Sequence, residues 1–321
     1  MFCRHFKRSG RADNQIPTKE EPMSDTSQFQ TTRLDGPFGV AIENVDLARL
    51  SDTEFDALVD LLYANHVLVV RGQDLTPEQY IEFGRRWGDL VPYFQKRWTL
   101  PGYPDILLIT NEEVPGRALP PAENWHADGT YLDQPHSVTM LYGREAPREG
   151  GETWFAGTAL AYDALDPEMR ASLEGLRVKH MKNGGMRLAL DEEHEKPLTL
   201  ESQTTEEERQ GLRPLTHPLV LRHPVTGRPA LYCSTTTAYG IEGMEEDEAI
   251  ELLLRVKRHV LQPQFRYAHK TLPGEVLLWD NFAVLHKAAP TPLSNKDGER
   301  RILHRITVNG LPHRYRDKLA A

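Results

Sequence analysis

The 321-residue chain carries a formal net charge of −9, with 39% hydrophobic and 26% charged residues, the composition of a globular protein rather than a disordered or fibrous one. Its acidic balance excludes general nucleic-acid binding, which needs a basic face against the phosphates. No apolar run reaches the ~18 residues of a bilayer span, so a membrane protein is excluded as well.

The first twelve residues hold Arg4, Lys7, Arg8 and Arg11 with no acid, and Met23 opens a second plausible start. That stretch lacks the amphipathic pattern of a transit peptide, and residues 1–30 read as a disordered extension. Cys3 and Cys233 are the two cysteines. They exclude a disulfide framework or a thiolate zinc site, and a reducing cytoplasm is the natural compartment.

Regular patterning starts after Thr31. Ser51 with Glu54 forms a capping box ahead of Phe55, Leu58, Val59 and Leu62 at helical spacing. Residues 67–70, all apolar, read as a buried strand closed by Arg71-Gly72. A second helix starts with Thr76 as N-cap, Pro77 at its first position and Gln79 completing the box. Its buried stripe is Tyr80, Phe83, Gly84 and Trp87, and Gly88 stops it. Strands follow at 106–109, 137–142, 219–222, 230–233, 276–279, 283–286 and 301–308, separated by turns such as Pro224-Val225-Thr226-Gly227 and Pro273-Gly274. Helices interrupt at 167–176, capped by Asp166, and at 245–261. The polar, acidic stretch 188–211 reads as a mobile loop or lid. With no repeat or linker, residues 31–315 read as one domain, mostly β with peripheral helices around a barrel or jelly roll.

His126-Ala127-Asp128 is the first segment with chemistry in it. In an extended chain, residues two apart face the same way, so an imidazole and a carboxylate can meet one ion. Further on, Phe282, Val284 and His286 share a strand face, and an imidazole on an apolar face needs a hydrogen bond or a metal. Two histidines and one carboxylate suit the facial triad of non-haem Fe(II) oxygenases. A catalytic zinc site takes the same ligand types, so a zinc-dependent hydrolase on a cupin-like barrel is the alternative. A non-catalytic binding barrel is disfavoured by an intact triad.

The strand 301–308 separates these readings. Arg301, Leu303, Arg305 and Thr307 share one face, and Ile302, His304, Ile306 and Val308 the other. Both faces carry apolar residues, so both are expected to be buried. A buried guanidinium needs an anion that fits its planar fork, which points to a bound dicarboxylate beside the metal. Arg300 reads as a solvated turn residue.

With these residues assembled, the sequence resembles the taurine dioxygenase family, which also contains 2,4-dichlorophenoxyacetate dioxygenase. The resemblance runs from about Leu34 to Gly310. It rests on Asn124-Trp125-His126-x-Asp128, Gly150-Gly151-Glu152-Thr153, His223-Pro224-Val225-Thr226-Gly227, Trp279-Asp280-Asn281 with His286, and Arg301-x-x-x-Arg305. It implies a double-stranded β-helix in which His126, Asp128 and His286 bind Fe(II). It also implies that Thr153 and Arg301 hold the distal carboxylate of 2-oxoglutarate, with Arg305 at the substrate end. With Asp128 present, halide cannot take its place on iron as in related halogenases, and hydroxylation is favoured. Tyr93, Ala122 and Thr237 stand where the taurine enzyme has His, Asn and Phe, and the connection from His286 to Arg301 is longer. These departures point away from taurine and toward another organic anion: an alkyl sulfonate, a sulfate ester or an aryloxyalkanoate. Tyr93 and Thr237 are accordingly expected at the substrate. The expected partners are this small anion and O2, in a homo-oligomer (a dimer or tetramer) without nucleic acid or membrane.

Overall fold

The computed structural model describes residues 29–93, 96–113, 124–181, 215–232 and 237–319. Residues 1–28 of the expected extension, the 188–211 lid, Ala122 and both cysteines lie outside the described residues. No helix of the described residues is long and apolar enough to cross a membrane.

Strands are numbered in chain order. Among the described residues nine of them form one sheet, in the spatial order β1 (Thr31–Arg33), β2 (Val40–Ile42), β3 (Val67–Val70), β15 (Val276–Asp280), β7 (His136–Glu145), β17 (Ile302–Asn309), β6 (Tyr103–Thr110) and β5 (Thr99–Leu100), with β4 (Asp89–Leu90) also on β17. A three-stranded sheet, β14 (Arg266–His269), β8 (Thr153–Gly157) and β16 (Val284–Ala288), lies opposite. Beyond it come β10 (Leu215–Pro218), β9 (Arg177–His180) and β13 (Ala238–Ile241), and the hairpin of β11 (Val220–Arg222) with β12 (Pro229–Leu231).

Strand periodicity divides the apolar side chains between two layers. Leu68, Val70, Val276, Leu278, Met140, Tyr142, Ile306 and Val308 point outward, into one cluster with helices α1 (Asp52–Asn65) and α2 (Pro77–Trp87). Val67, Val69, Leu277, Trp279, Leu141 and Leu303 point inward and meet Phe155, Tyr267 and Val284 of the small sheet. A register slip of one residue would exchange the two sets and place Arg305 among the helices. Full burial of each Val or Leu contributes roughly 1.5–3 kcal/mol, so the register is held strongly.

Both helices start as the sequence predicts. Glu54 N–H donates to Ser51 Oγ at 3.2 Å, and Gln79 N–H to Thr76 Oγ1 at 3.3 Å. Helices α3 (Thr158–Asp163), α4 (Pro167–Leu173) and α5 (Glu246–Val260) pack around a further cluster containing Trp125, Val178, Leu219, Leu253 and Val256. The helix at 167 stops at Leu173 rather than running to 176, with Gly175 in the left-handed region at φ 78°. The strand carrying His286 starts at Val284, because Phe282 N–H donates to Asp280 Oδ1 at 3.0 Å and residues 281–283 form a turn. The strand at 106–109 extends to Tyr103–Thr110. The sequence reading did not anticipate β8, β14 or α3.

A buried carboxylate ties three of these parts together. Asp280, with 0% of its surface exposed, has Oδ2 3.0 Å from His223 Nε2 and 3.8 Å from His66 Nδ1. The first contact lies within hydrogen-bond distance, with an angle short of the ideal. His66 closes α1 in a left-handed conformation, φ 65°. His223 opens the turn after β11, and its Nδ1 accepts from the N–H groups of Val225 and Thr226, both at 3.1 Å. Nε2 therefore carries the proton that faces Asp280. Burial pushes the Asp280 carboxyl up, but His223 and His66 outweigh it and hold the group well below the usual carboxylate range. The clamp sits at the turn that delivers His286.

Candidate metal centre

His126 and His286 are joined through their backbones. His126 N–H donates to His286 O at 3.0 Å and His286 N–H to His126 O at 2.8 Å, an isolated antiparallel bridge. The bridge sets the two imidazoles side by side with ring centroids 4.2 Å apart. Asp128, two residues on, returns to the same face, with Oδ1 3.6 Å from His126 Nε2 and Oδ2 3.6 Å from His286 Nε2. One donor atom from each of the three lies within 4.8 Å of the others.

The protonation pattern suits a cation. His126 Nδ1 lies 2.8 Å from the Asn124 carbonyl, which holds the ring proton there and leaves the Nε2 lone pair toward Asp128. Burial, reinforced by His126, pushes His286 well below its ordinary value, so that ring is neutral. Burial pushes the Asp128 carboxyl up, but the Arg305 guanidinium above all prevails and holds it well below the usual carboxylate range. Two imidazoles and one carboxylate on one face are the donor set of an open Fe(II) site, so the residues fit the ion.

The inner face of β17 brings Arg305 to this cluster. Arg305 Nη2 lies 2.6 Å from Asp128 Oδ2, and its Nε donates to Thr307 Oγ1 at 3.2 Å. The sequence pattern pointed to a bound anion for this arginine. The anion it meets here is Asp128 itself, brought from a distant segment. Arg301, just before β17, is 5% exposed, and its Nε donates to the Gly151 carbonyl at 2.9 Å. Burial pulls it down to about 10, opposed by Glu152. Among the described residues no carboxylate comes within ion-pair distance of it. Gly151 takes φ 79°, and a Cβ there would stand 2.7 Å from Pro147 Cγ, which is why glycine fits this turn. Two residues later Thr153 enters β8 opposite Ala288 and shares the inner face of His286. Arg300, read as a turn residue, pairs with Glu145 at 2.8 Å and Asp297 at 3.2 Å at the surface.

Tyr93 is half-buried and, with Asp128, acts on the Tyr131 hydroxyl, which burial above all pushes up to about 12. The Thr237 hydroxyl is 2.6 Å from that of Thr130 and 2.9 Å from His180 Nδ1. Tyr131 and His136 escaped the sequence reading. Burial lowers His136 to about 4, with Asp128 and Arg305 acting in opposite directions. Their closeness to His126-x-Asp128 in sequence was the available signal.

This donor set with a buried arginine alongside is consistent with an iron-dependent oxygenase that takes a keto acid. The model of the taurine catabolism dioxygenase TauD, TfdA family matches residues 30–307, and the chain belongs to that family of alpha-ketoglutarate-dependent dioxygenases. Pentalenolactone F synthase of Streptomyces arenae is 30% identical over 288 residues, covering 87% of this chain and 94% of that protein. Alpha-ketoglutarate-dependent 2,4-dichlorophenoxyacetate dioxygenase of Cupriavidus pinatubonensis is 30% identical over 285 residues, covering 84% and 94%. The crystal structure of a taurine dioxygenase from Burkholderia xenovorans matches with a TM-score of 0.70 at 28% identity, covering 88% of this chain and 89% of that one.

Proposed function

We propose that this dioxygenase hydroxylates a small organic anion whose acidic group pairs with Arg305, at an iron held by His126, Asp128 and His286. The observation that carries the reading is the position of Arg305, a partly exposed cation 2.6 Å from Asp128 Oδ2. An anion bound by that guanidinium stands beside the metal ligands. The 2,4-dichlorophenoxyacetate enzyme among the relatives takes a carboxylate by its name, and alkyl sulfonates and sulfate esters present a similar charge. The two facing sheets support a double-stranded β-helix, with residues 31–315 as one domain.

When bound, Fe(II) with 2-oxoglutarate supplies the oxidation of a C–H bond by O2, releasing succinate and CO2. The chain's residues bind and orient. Arg301 and Thr153 grip the distal carboxylate of 2-oxoglutarate, the guanidinium as a planar fork in a dry setting. Arg305 fixes the substrate by its charge, which places a defined carbon toward the metal. Tyr93 borders the substrate end, and Thr237, its hydroxyl engaged with Thr130 and His180, shapes the wall. The arrangement favours this reading over zinc-dependent hydrolysis, which has no use for the buried Arg301.

The test is succinate release with a panel of aryloxyalkanoates, alkyl sulfonates and alkyl sulfates, each beside an uncharged ester. Wild-type protein is expected to turn over an acid and reject its ester. Arg305→Gln is expected to raise the KM for that acid on the order of 100-fold, the loss of a desolvated charge pair. Equal turnover of acid and ester would overturn the anion assignment.

A further inference from the structure

We propose that Thr139 is a positioning residue for the metal, set by a one-way chain of hydrogen bonds from Trp279 through Asn281. The proposal rests on the reading of His126, Asp128 and His286 as the metal ligands. Thr139 lies on the inner face of β7, between Trp279 of β15 and Thr307 of β17. All three groups of the chain are buried.

The direction of every proton in it follows from the first donor. The Trp279 indole N–H can only donate, and it lies 3.1 Å from Asn281 Oδ1. The same oxygen faces the Asp128 N–H at 3.4 Å. These two donors fix the orientation of the Asn281 amide, so its Nδ2 must point the other way, and it donates to Thr139 Oγ1 at 2.9 Å. Having accepted there, the Thr139 hydroxyl turns its own proton to Asp128 Oδ2 at 2.7 Å. Arg305 Nη2 meets the same oxygen at 2.6 Å.

Asp128 Oδ2 thus receives two donors from the protein. Both oxygens stand 3.6 Å from a histidine Nε2, Oδ1 from His126 and Oδ2 from His286, and with Oδ2 engaged by Thr139 and Arg305, Oδ1 is the oxygen left for the ion. A carboxylate held in this way would offer the ion a single oxygen. The chain also ties the turn that delivers His286 to the segment that delivers Asp128, because Asn281 bonds the Asp128 backbone and, through Thr139, its side chain. Trp279 lies against His286 in a tilted ring contact, with centroids 4.6 Å apart, so one strand end supports two ligands.

The experiment measures Mn(II) binding to metal-free protein by electron paramagnetic resonance, for wild type, Thr139→Val, Thr139→Ser, Asn281→Asp and Asp128→Ala. Thr139→Val keeps the shape and removes the donor, and it is expected to weaken Mn(II) binding about 10–100-fold, the usual range for a group supporting a metal ligand. Thr139→Ser restores the hydroxyl and is expected to bind within a few-fold of wild type. Asn281→Asp puts an acceptor where the donor stood and is expected to weaken binding in the same range, which decides the matter if Thr139→Val does not fold. Wild-type Mn(II) affinity in folded Thr139→Val, or in Asn281→Asp should the valine variant fail to fold, overturns the proposal. If Asp128→Ala also binds as wild type, the assignment of the metal ligands fails instead.

Discussion

Arg301→Leu is expected to raise the KM for 2-oxoglutarate on the order of 100-fold while leaving the KM for the organic substrate within a few-fold. The argument starts from burial. The Arg301 guanidinium is 5% exposed, is bonded through Nε to one carbonyl, and meets no carboxylate among the described residues. A truncated partner of a desolvated charge pair costs about 2–5 kcal/mol, and each 1.4 kcal/mol is about tenfold. Arg301→Lys retains the charge without the bidentate fork, so it is expected to recover part of the loss. Steady-state kinetics with each of the two substrates varied in turn reads the split. An unchanged KM for 2-oxoglutarate in the leucine variant removes Arg301 from the keto-acid site.

Asp280→Ala is expected to cost about 1–3 kcal/mol of stability at neutral pH, because it leaves the buried His223 Nε2 proton and the Phe282 N–H without their acceptor. Its pH dependence follows from the depressed carboxyl. The folded group titrates below its unfolded value of ~3.9, so the clamp contributes fully above that value. The contribution is lost as pH falls from about 4 toward the folded value. The gap between wild type and variant is therefore expected to be widest at neutral pH and to narrow below about 4. Urea unfolding midpoints across that range provide the check, and a gap that stays constant as the acid is added contradicts the account. Activity falls with stability here, since the Asp280 turn carries the chain into His286.

The elements that make the outer layer were legible because each had a local signature. The capping boxes at Ser51 and Thr76 and the stripe of Tyr80, Phe83 and Trp87 announce helices without help from the rest of the chain. The run 67–70 is apolar on both faces because both faces are covered. The small sheet was less legible. Thr153–Gly157 is mostly buried and leads directly into α3, so it lacks both alternation and a closing turn. Arg266–His269 is four residues of mixed polarity, and its strand character comes from pairing with β8.

The site divides in the same way. The two histidines, the aspartate and both arginines carried motifs in the sequence. Their mutual arrangement did not, since the His126–His286 bridge spans 160 residues of chain and the Arg305–Asp128 pair is set by tertiary packing. Thr139 had no signal at all: a threonine inside a β-strand is ordinary, and only its neighbours Asn281 and Asp128 give it a task. Asp280 lay within a recognisable motif, yet its buried pairing with His66 and His223 depends on a helix end and a turn that meet in three dimensions.

The most direct test of the central claim is an anaerobic titration of the metal-free protein with Fe(II) and 2-oxoglutarate, followed by the visible charge-transfer absorption of the chelate. Wild type is expected to develop the band and saturate at one Fe(II) per chain. His126→Ala, Asp128→Ala and His286→Ala are expected to lack it, and Arg301→Leu to reach it only at higher 2-oxoglutarate. A band of wild-type intensity and affinity in any of the three ligand variants would contradict the assignment of that residue to the iron.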